Sequence, residues 1–182
     1  MNSSAWTIRQ LYAVADAQID LLADLLADLL IDCVIGGASV SFMHPLTRER
    51  AVAFWQRVAQ DVAVGKRSLI IAEDLQGICG TVQLNFDLPE NQPHRADLAK
   101  MLVHRRARRR GLGTALMQSA EDAARESGRT LLVLDAVTGG DAARLYERLG
   151  WTRVGDIPGY ALFPEGGLCS TTVYFRNLAS QP

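Results

Sequence analysis

Met101-Leu102-Val103-His104-Arg105-Arg106-Ala107-Arg108-Arg109-Arg110-Gly111-Leu112-Gly113-Thr114 is the stretch whose reading decides the fold. Downstream of it, Leu112, Ala115, Leu116, Ser119, Ala120 and Ala123 recur at i, i+3, i+4, i+7, i+8 and i+11. Gly113 to Ser127 is therefore predicted as an amphipathic helix, closed by Gly128. Upstream, Arg95 to Val103 is predicted as a strand. Arg105, Arg106, Arg108, Arg109 and Arg110 thus crowd the positive end of a helix, where cations oppose the dipole unless an anion arrives. Gly111 and Gly113 let the backbone approach a ligand closely, and first-turn amides offer donors to phosphate oxygens. Strand, arginines, glycine turn and helix together predict a phosphate cradle.

Other phosphate motifs fit poorly. A dinucleotide-binding turn would want glycine at Leu116, and a Walker loop would want Lys and Ser/Thr after its last glycine. RNA or DNA binding through Arg105 to Arg110 has the basic run, but no interleaved aromatics and a formal net charge of -1. A solvated arginine turn would explain the charges but not the glycines.

The 182 residues, 48% hydrophobic and 21% charged, suit one globular domain over 1–182. No apolar run approaches the ~20 residues of a membrane span. Met1 to Gln10 lacks the pattern of a secretory signal, so a cytoplasmic location is expected. Cys33, Cys79 and Cys169 are odd in number and widely spaced, which suits buried thiols; no disulfide framework and no metal site is expected.

Trp6 to Tyr12 is predicted as a short strand. Leucine pairs at 21/22, 25/26 and 29/30 make Asp16 to Ile35 a helix stopped by Gly36-Gly37. Asp16, Asp20, Asp24, Asp28 and Asp32 line its other face, as a solvated stripe or as a rim that attracts a cationic substrate. After an apolar loop, Gly36 to Pro45, a second helix runs from the N-cap Thr47 to Val64. Ser68 to Glu73 and Ile78 to Phe86 form a hairpin; Ile78, Val82, Leu84 and Phe86 are expected on one face. Thr130 to Asp135 reads as a strand covered on both sides, Asp141 to Leu149 as a helix, and Trp151 to Val154 and Thr171 to Phe175 as strands. Asp156 to Gly167, rich in Gly and Pro, is expected to be a loop. The fold class is α/β: a mixed, mostly antiparallel sheet of six to seven strands flanked by about four helices.

At this junction Leu102-Val103 followed by Arg108-x-x-Gly111-x-Gly113 resembles the acetyl-CoA signature of the GNAT family of N-acetyltransferases. Ala143, Tyr146, Leu149, Gly150 and Trp151 resemble that family's second cofactor helix and the following strand, and the element order agrees. The resemblance implies that acetyl-CoA is the cosubstrate. It implies that Met101, Leu102 and Val103 pair through their backbone with the pantetheine amides. Arg108, Arg109, Arg110, Gly111, Leu112, Gly113 and Thr114 would wrap the pyrophosphate.

Within the family the chain looks most like the tabtoxin-resistance acetyltransferases. That likeness runs through Gly36-Gly37-Ala38-Ser39-Val40, Phe42-Met43, Arg95-Ala96-Asp97, Lys100-Met101, Thr152-Arg153-Val154-Gly155 and Pro158-Gly159-Tyr160. It implies N-acetylation of a small-molecule amine, a toxin or antibiotic: a β-lactam amino acid or an aminoglycoside such as kasugamycin, with the acidic stripe tilting toward the sugar. Tyr146 matches the family's tyrosine, as general acid or as donor to the CoA sulfur. Asp97 and Asp135, charged at strand positions where burial is costly, are the candidates for base or ammonium anchor. Asp97 is one methylene shorter than the group's Glu. His94 is kept as a further base candidate. A homodimer is the default assembly. The competing readings are an acetyltransferase of a protein or metabolite amine, and a non-catalytic acyl-CoA sensor.

Overall fold

The computed structural model describes residues 6–11 and 16–179. Seven strands and four helices follow one another as β1 (Thr7–Leu11), α1 (Asp16–Ile35), α2 (Arg48–Ala63), β2 (Arg67–Asp74), β3 (Gly77–Asn85), β4 (Arg95–Val103), α3 (Leu112–Glu126), β5 (Leu131–Val137), α4 (Asp141–Arg148), β6 (Thr152–Leu162) and β7 (Leu168–Asn177). They match the predicted mixed α/β architecture. The sheet order is β1-β2-β3-β4-β5-β7-β6, and β4 with β5 is its parallel pair. Of the predicted first strand, Trp6 lies before β1, and Tyr12 falls outside the described residues.

Helices cover both faces. Leu26, Leu29 and Leu30 of α1 and Trp55 and Val58 of α2 bury against Leu69 and Ile71 of β2. Full burial of each large apolar side chain contributes roughly 1.5–3 kcal/mol. On the opposite face, Leu112, Leu116, Met117 and Ala120 of α3 pack against Ile70, Val82 and Leu84. The leucine pairs of α1 do not all face the core: Leu21 and Leu25 are exposed. Four residues turn an α-helix by about 40° more than a full circle, so an i, i+4 row drifts off the contact line. Thr47 caps α2 as expected, its Oγ1 accepting from the Arg50 amide at 3.4 Å.

Two local readings are corrected. Ile78 shares the α1/α2 side, whereas Val82 and Leu84 face α3. A β-bulge, with Ala72 opposite Gly80 and Glu73 opposite Ile78, leaves Cys79 as an extra residue and reverses the alternation. Also, Asp156 to Leu162 is strand, not loop. The pairing of β6 with β7 slips between Ile157 and Ala161, so that Pro158-Gly159-Tyr160 bulges from the ladder. β6 is the edge strand, where a proline without an N–H is tolerated.

The sheet opens in its middle. β4 and β5 pair at Arg95/Leu131, Ala96/Leu132 and Asp97/Val133, and the ladder ends there. Beyond it, β4 runs on to Val103 and β5 to Val137 without pairing to each other.

Candidate active site

The turn after β4 is built by sorting its arginines. His104 caps a short 3-10 turn, Arg105–Ala107, its Nδ1 accepting from the Arg106 amide. Arg105 is bound to Asp32 near the end of α1: its Nε donates to Oδ1 at 2.8 Å and its backbone N–H to Oδ2 at 2.9 Å. Arg106 pairs with Asp74 at 2.9 Å and also donates to the Gly77 and Ile78 carbonyls. Arg108 donates from Nε to the Val103 carbonyl at 3.0 Å. Arg105, Arg106 and Arg108 therefore hold the turn in shape. Arg109 is 86% exposed and 3.7 Å from Asp141 at α4; Arg110 is exposed, with no carboxylate within 4.0 Å among the described residues. These two guanidiniums remain for an external anion.

Asp32 explains how the turn is gripped. Burial pushes its carboxyl up, but the two hydrogen bonds from Arg105 and the charges of His104 and Arg105 outweigh that, leaving it below the ordinary carboxylate range. The rest of the acidic stripe is also engaged: Asp24 and Asp28 with Arg48, Asp20 with Gln56. The Asp16 side chain lies outside the described part of the structure. None of Asp20, Asp24, Asp28 and Asp32 lines the cleft below, so these four give no reason to favour a polycationic acceptor.

The two glycines have different duties. Gly111 stands at φ 85° as N-cap of α3, with open space where a side chain would begin. A Cβ on Gly113 would lie 3.0 Å from Leu145 Cδ2, so that glycine seats α3 against α4 rather than against a ligand. No side chain caps α3, which leaves its first-turn amides, Leu112 to Thr114, directed outward beside Arg109 and Arg110. A diphosphate fits this arrangement, and the unpaired edge of β4 over Met101-Leu102-Val103 offers an amide chain a strand to pair with.

A cleft of about 320 Å³ opens at the far end of β5. Asp135, Ala136 and Val137 line one side; Ser39, Ser41, Phe42 and Met43 of the loop after α1 another; Tyr160 to Leu162 and Cys169 to Thr171 of the β6–β7 hairpin the third. Thr171 Oγ1 donates to Asp135 Oδ2 at 2.8 Å and orients the carboxylate. Tyr146 of α4 is buried between the rings of Trp151 and Tyr174, with centroids at 6.0 and 5.9 Å. Burial raises its phenol well above the ordinary range, with the negative charge of Asp135 and the Tyr174 hydroxyl acting in the same sense. The charge of Asp135 thus reaches the Tyr146 phenol, which lies in the core and is not among the cleft residues.

Asp97 is placed differently. Its Oδ1 accepts from Arg95 Nη1 at 2.6 Å, and Arg95 is held in turn by Gln92. It marks the last rung of the β4–β5 ladder and is not among the cleft residues. His94 is exposed at the opposite, starting end of that parallel pair, where its carbonyl accepts from Thr130 and Leu131. Both are displaced from the cleft by the parallel register: the cleft lies past the last rung of the ladder, whereas His94 precedes the first rung and Asp97 forms the last.

Lys100 was part of the likeness named above but was given no role in the site. Val82 faces both Lys100 and Met101 in a bulge of β4, with Lys100 at φ 49°. Its Nζ donates to Ser41 Oγ at 3.2 Å and stands 5.7 Å over the Phe54 ring. A bulge that re-aims one side chain leaves no mark in hydrophobic periodicity.

Residues 65–153 match the family model described as Acetyltransferase (GNAT) domain. The chain is also similar to solved structures over nearly its whole length. A GCN5-related N-acetyltransferase from Kribbella flavida is 25% identical, with a TM-score of 0.72, covering 95% of this chain and 98% of that one. An N-acetyltransferase from Staphylococcus aureus Mu50 is 15% identical, with a TM-score of 0.75 and coverage of 97% and 100%. A Salmonella typhimurium protein described as an acetyltransferase with its cofactor acetyl-CoA is 18% identical, with a TM-score of 0.73 and coverage of 98% and 96%.

Proposed function

We infer that this chain, whose residues 65–153 match the model of a GNAT acetyltransferase domain, transfers acetyl from acetyl-CoA to the primary amine of a small toxin or antibiotic. The observation that carries the reading is the opening of β4 from β5 beside an uncapped α3 whose turn keeps Arg109 and Arg110 for an anion. The similar Salmonella typhimurium structure, with acetyl-CoA as its cofactor, supports the same donor here. Bound acetyl-CoA supplies an activated thioester carbonyl.

This chain's residues would serve the acceptor and the leaving group. The ammonium gives up one proton to Asp135, directly or through water; the amine nitrogen then bonds to the carbonyl carbon as the carbon–sulfur bond breaks, and the second proton it sheds on becoming an amide replaces the one that Tyr146 gives up. Tyr146, kept protonated by burial and by Asp135, hands its proton to the departing thiolate. Asp97, bound to Arg95, keeps the end of the ladder in place rather than meeting the amine. The enzyme would act as one domain and in the cytoplasm, where free, buried Cys33, Cys79 and Cys169 stay reduced. Exposed Val154, Ile157 and Leu168 on β6 and β7 favour a homodimer as the working assembly.

The test is thiol release from acetyl-CoA in the presence of a panel of amine toxins, aminoglycosides, amino acids and peptides. Release with a small amine supports the reading; release with peptides alone would move the acceptor to proteins. No release with any amine, while acetyl-CoA still binds, would leave an acyl-CoA sensor.

A further inference from the structure

Three non-glycine residues among those described adopt left-handed backbone: Arg109 at φ 60°, in the pyrophosphate turn, and Ser41 at φ 75° and Lys100 at φ 49°. Such conformations are uncommon for side-chain-bearing residues and cluster where a site over-determines them. Ser41 and Lys100 come from segments far apart in sequence, and their side chains meet, Nζ to Oγ, at 3.2 Å. Ser41 lines the cleft that Asp135 closes from the other side.

Lys100 is a half-buried cation with no carboxylate within 4.0 Å among the described residues. Its hydrogen bond goes to a neutral hydroxyl and its other partner is the Phe54 face. Burial pulls the ammonium below its ordinary range, the charge of Arg67 adds to that, and Asp135 opposes it from a distance. A cation thus stands directly behind Ser41 of the cleft wall, and Asp135 lies on the cleft without pairing with it. Ammonium held so lacks the counter-charge that burial ordinarily demands, and an incoming carboxylate would supply it.

We propose that the acceptor is a free amino acid: its carboxylate binds Lys100 and Ser41, its amine meets Asp135, and its body lies against Phe42, Met43 and Tyr160. This rests on the acetyl-transfer reading above and narrows its substrate class. An aminosugar would bring positive charge toward Lys100 and no anion to meet it.

The experiment compares L-amino acids of apolar and aromatic side chain with their own carboxamides, and with glucosamine, as acceptors in the thiol-release assay. The acids are expected to exceed their amides in kcat/KM by roughly ten- to hundred-fold, the worth of a charge-assisted hydrogen bond. Lys100→Met should remove most of that preference through KM, and Lys100→Arg should restore part of it. Thermal melting and acetyl-CoA titration of each variant show whether it has folded. Equal use of acids and amides by the unaltered enzyme, or preference for glucosamine, would overturn the proposal while leaving acetyl transfer intact. Absence of thiol release with every amine would overturn both.

Discussion

Asp32 and Arg105, 73 positions apart, are joined by two hydrogen bonds, one to the backbone N–H and one to the guanidinium Nε of the same arginine. That double contact ties the end of α1 to the turn that precedes α3. A cluster of like charges has thereby been given an internal counter-ion for the member that carries the bend. The remaining cations can then face outward without the turn being pushed apart.

Asp32→Asn should destabilise the fold by about 1–3 kcal/mol, since a buried charge-assisted pair is weakened. The contribution has a defined pH window. Because the folded-state pKa of Asp32 lies below its unfolded value, its stabilisation is present above about pH 4 and is lost as pH falls through the lowered folded value. Urea unfolding of both proteins at neutral pH and near pH 3 should show the gap between them shrinking in acid.

Gly111→Ala should cost about 1–2 kcal/mol, from a left-handed conformation that alanine resists. Because no neighbour lies within 4 Å of the added carbon, there is no clash, and the loss should appear with weaker acetyl-CoA binding as the turn relaxes. Gly113→Ala meets only the flexible end of Leu145, so its stability loss should be the smaller of the two. Thermal melting with and without acetyl-CoA distinguishes them.

Tyr146→Phe should retain acetyl-CoA affinity while kcat falls about 10²-fold or more, the usual contribution of a positioned general acid. Its pKa is raised, so the phenol holds its proton through neutral and mildly alkaline pH. The unaltered enzyme should therefore show no alkaline fall in kcat from this group below about pH 10. By the same linkage, folding stability should decline above about pH 10 in the unaltered protein and less so in Tyr146→Phe. Unchanged kcat in the variant would remove Tyr146 from the chemistry.

How far the sequence could be read depended on whether a feature was local. The helix from Asp16 to Ile35, the cap at Thr47 and the strand-turn-helix around Gly111 rest on spacings within a few residues, and the structure places them where expected. The sorting of five arginines did not follow from sequence, because it depends on Asp32 and Asp74 arriving from other elements. Asp97 and Asp135 looked equivalent as carboxylates in strands. The parallel register of β4 and β5 separates them, one at the last rung and one beyond it on the cleft wall. Lys100 was hidden for a related reason: a bulge redirects its side chain toward Ser41 without altering the strand's composition.

The most direct measurement is calorimetric titration of acetyl-CoA into the unaltered protein and into Arg109→Ala/Arg110→Ala. Among the described residues, the one carboxylate within 4.0 Å of these two exposed guanidiniums is Asp141, at 3.7 Å from Arg109. Binding to the unaltered protein that weakens at least about ten-fold in the double variant, with melting unchanged, is the predicted result. Absence of binding to the unaltered protein, or equal affinity in the two, would contradict the assignment of this turn to the pyrophosphate of acetyl-CoA.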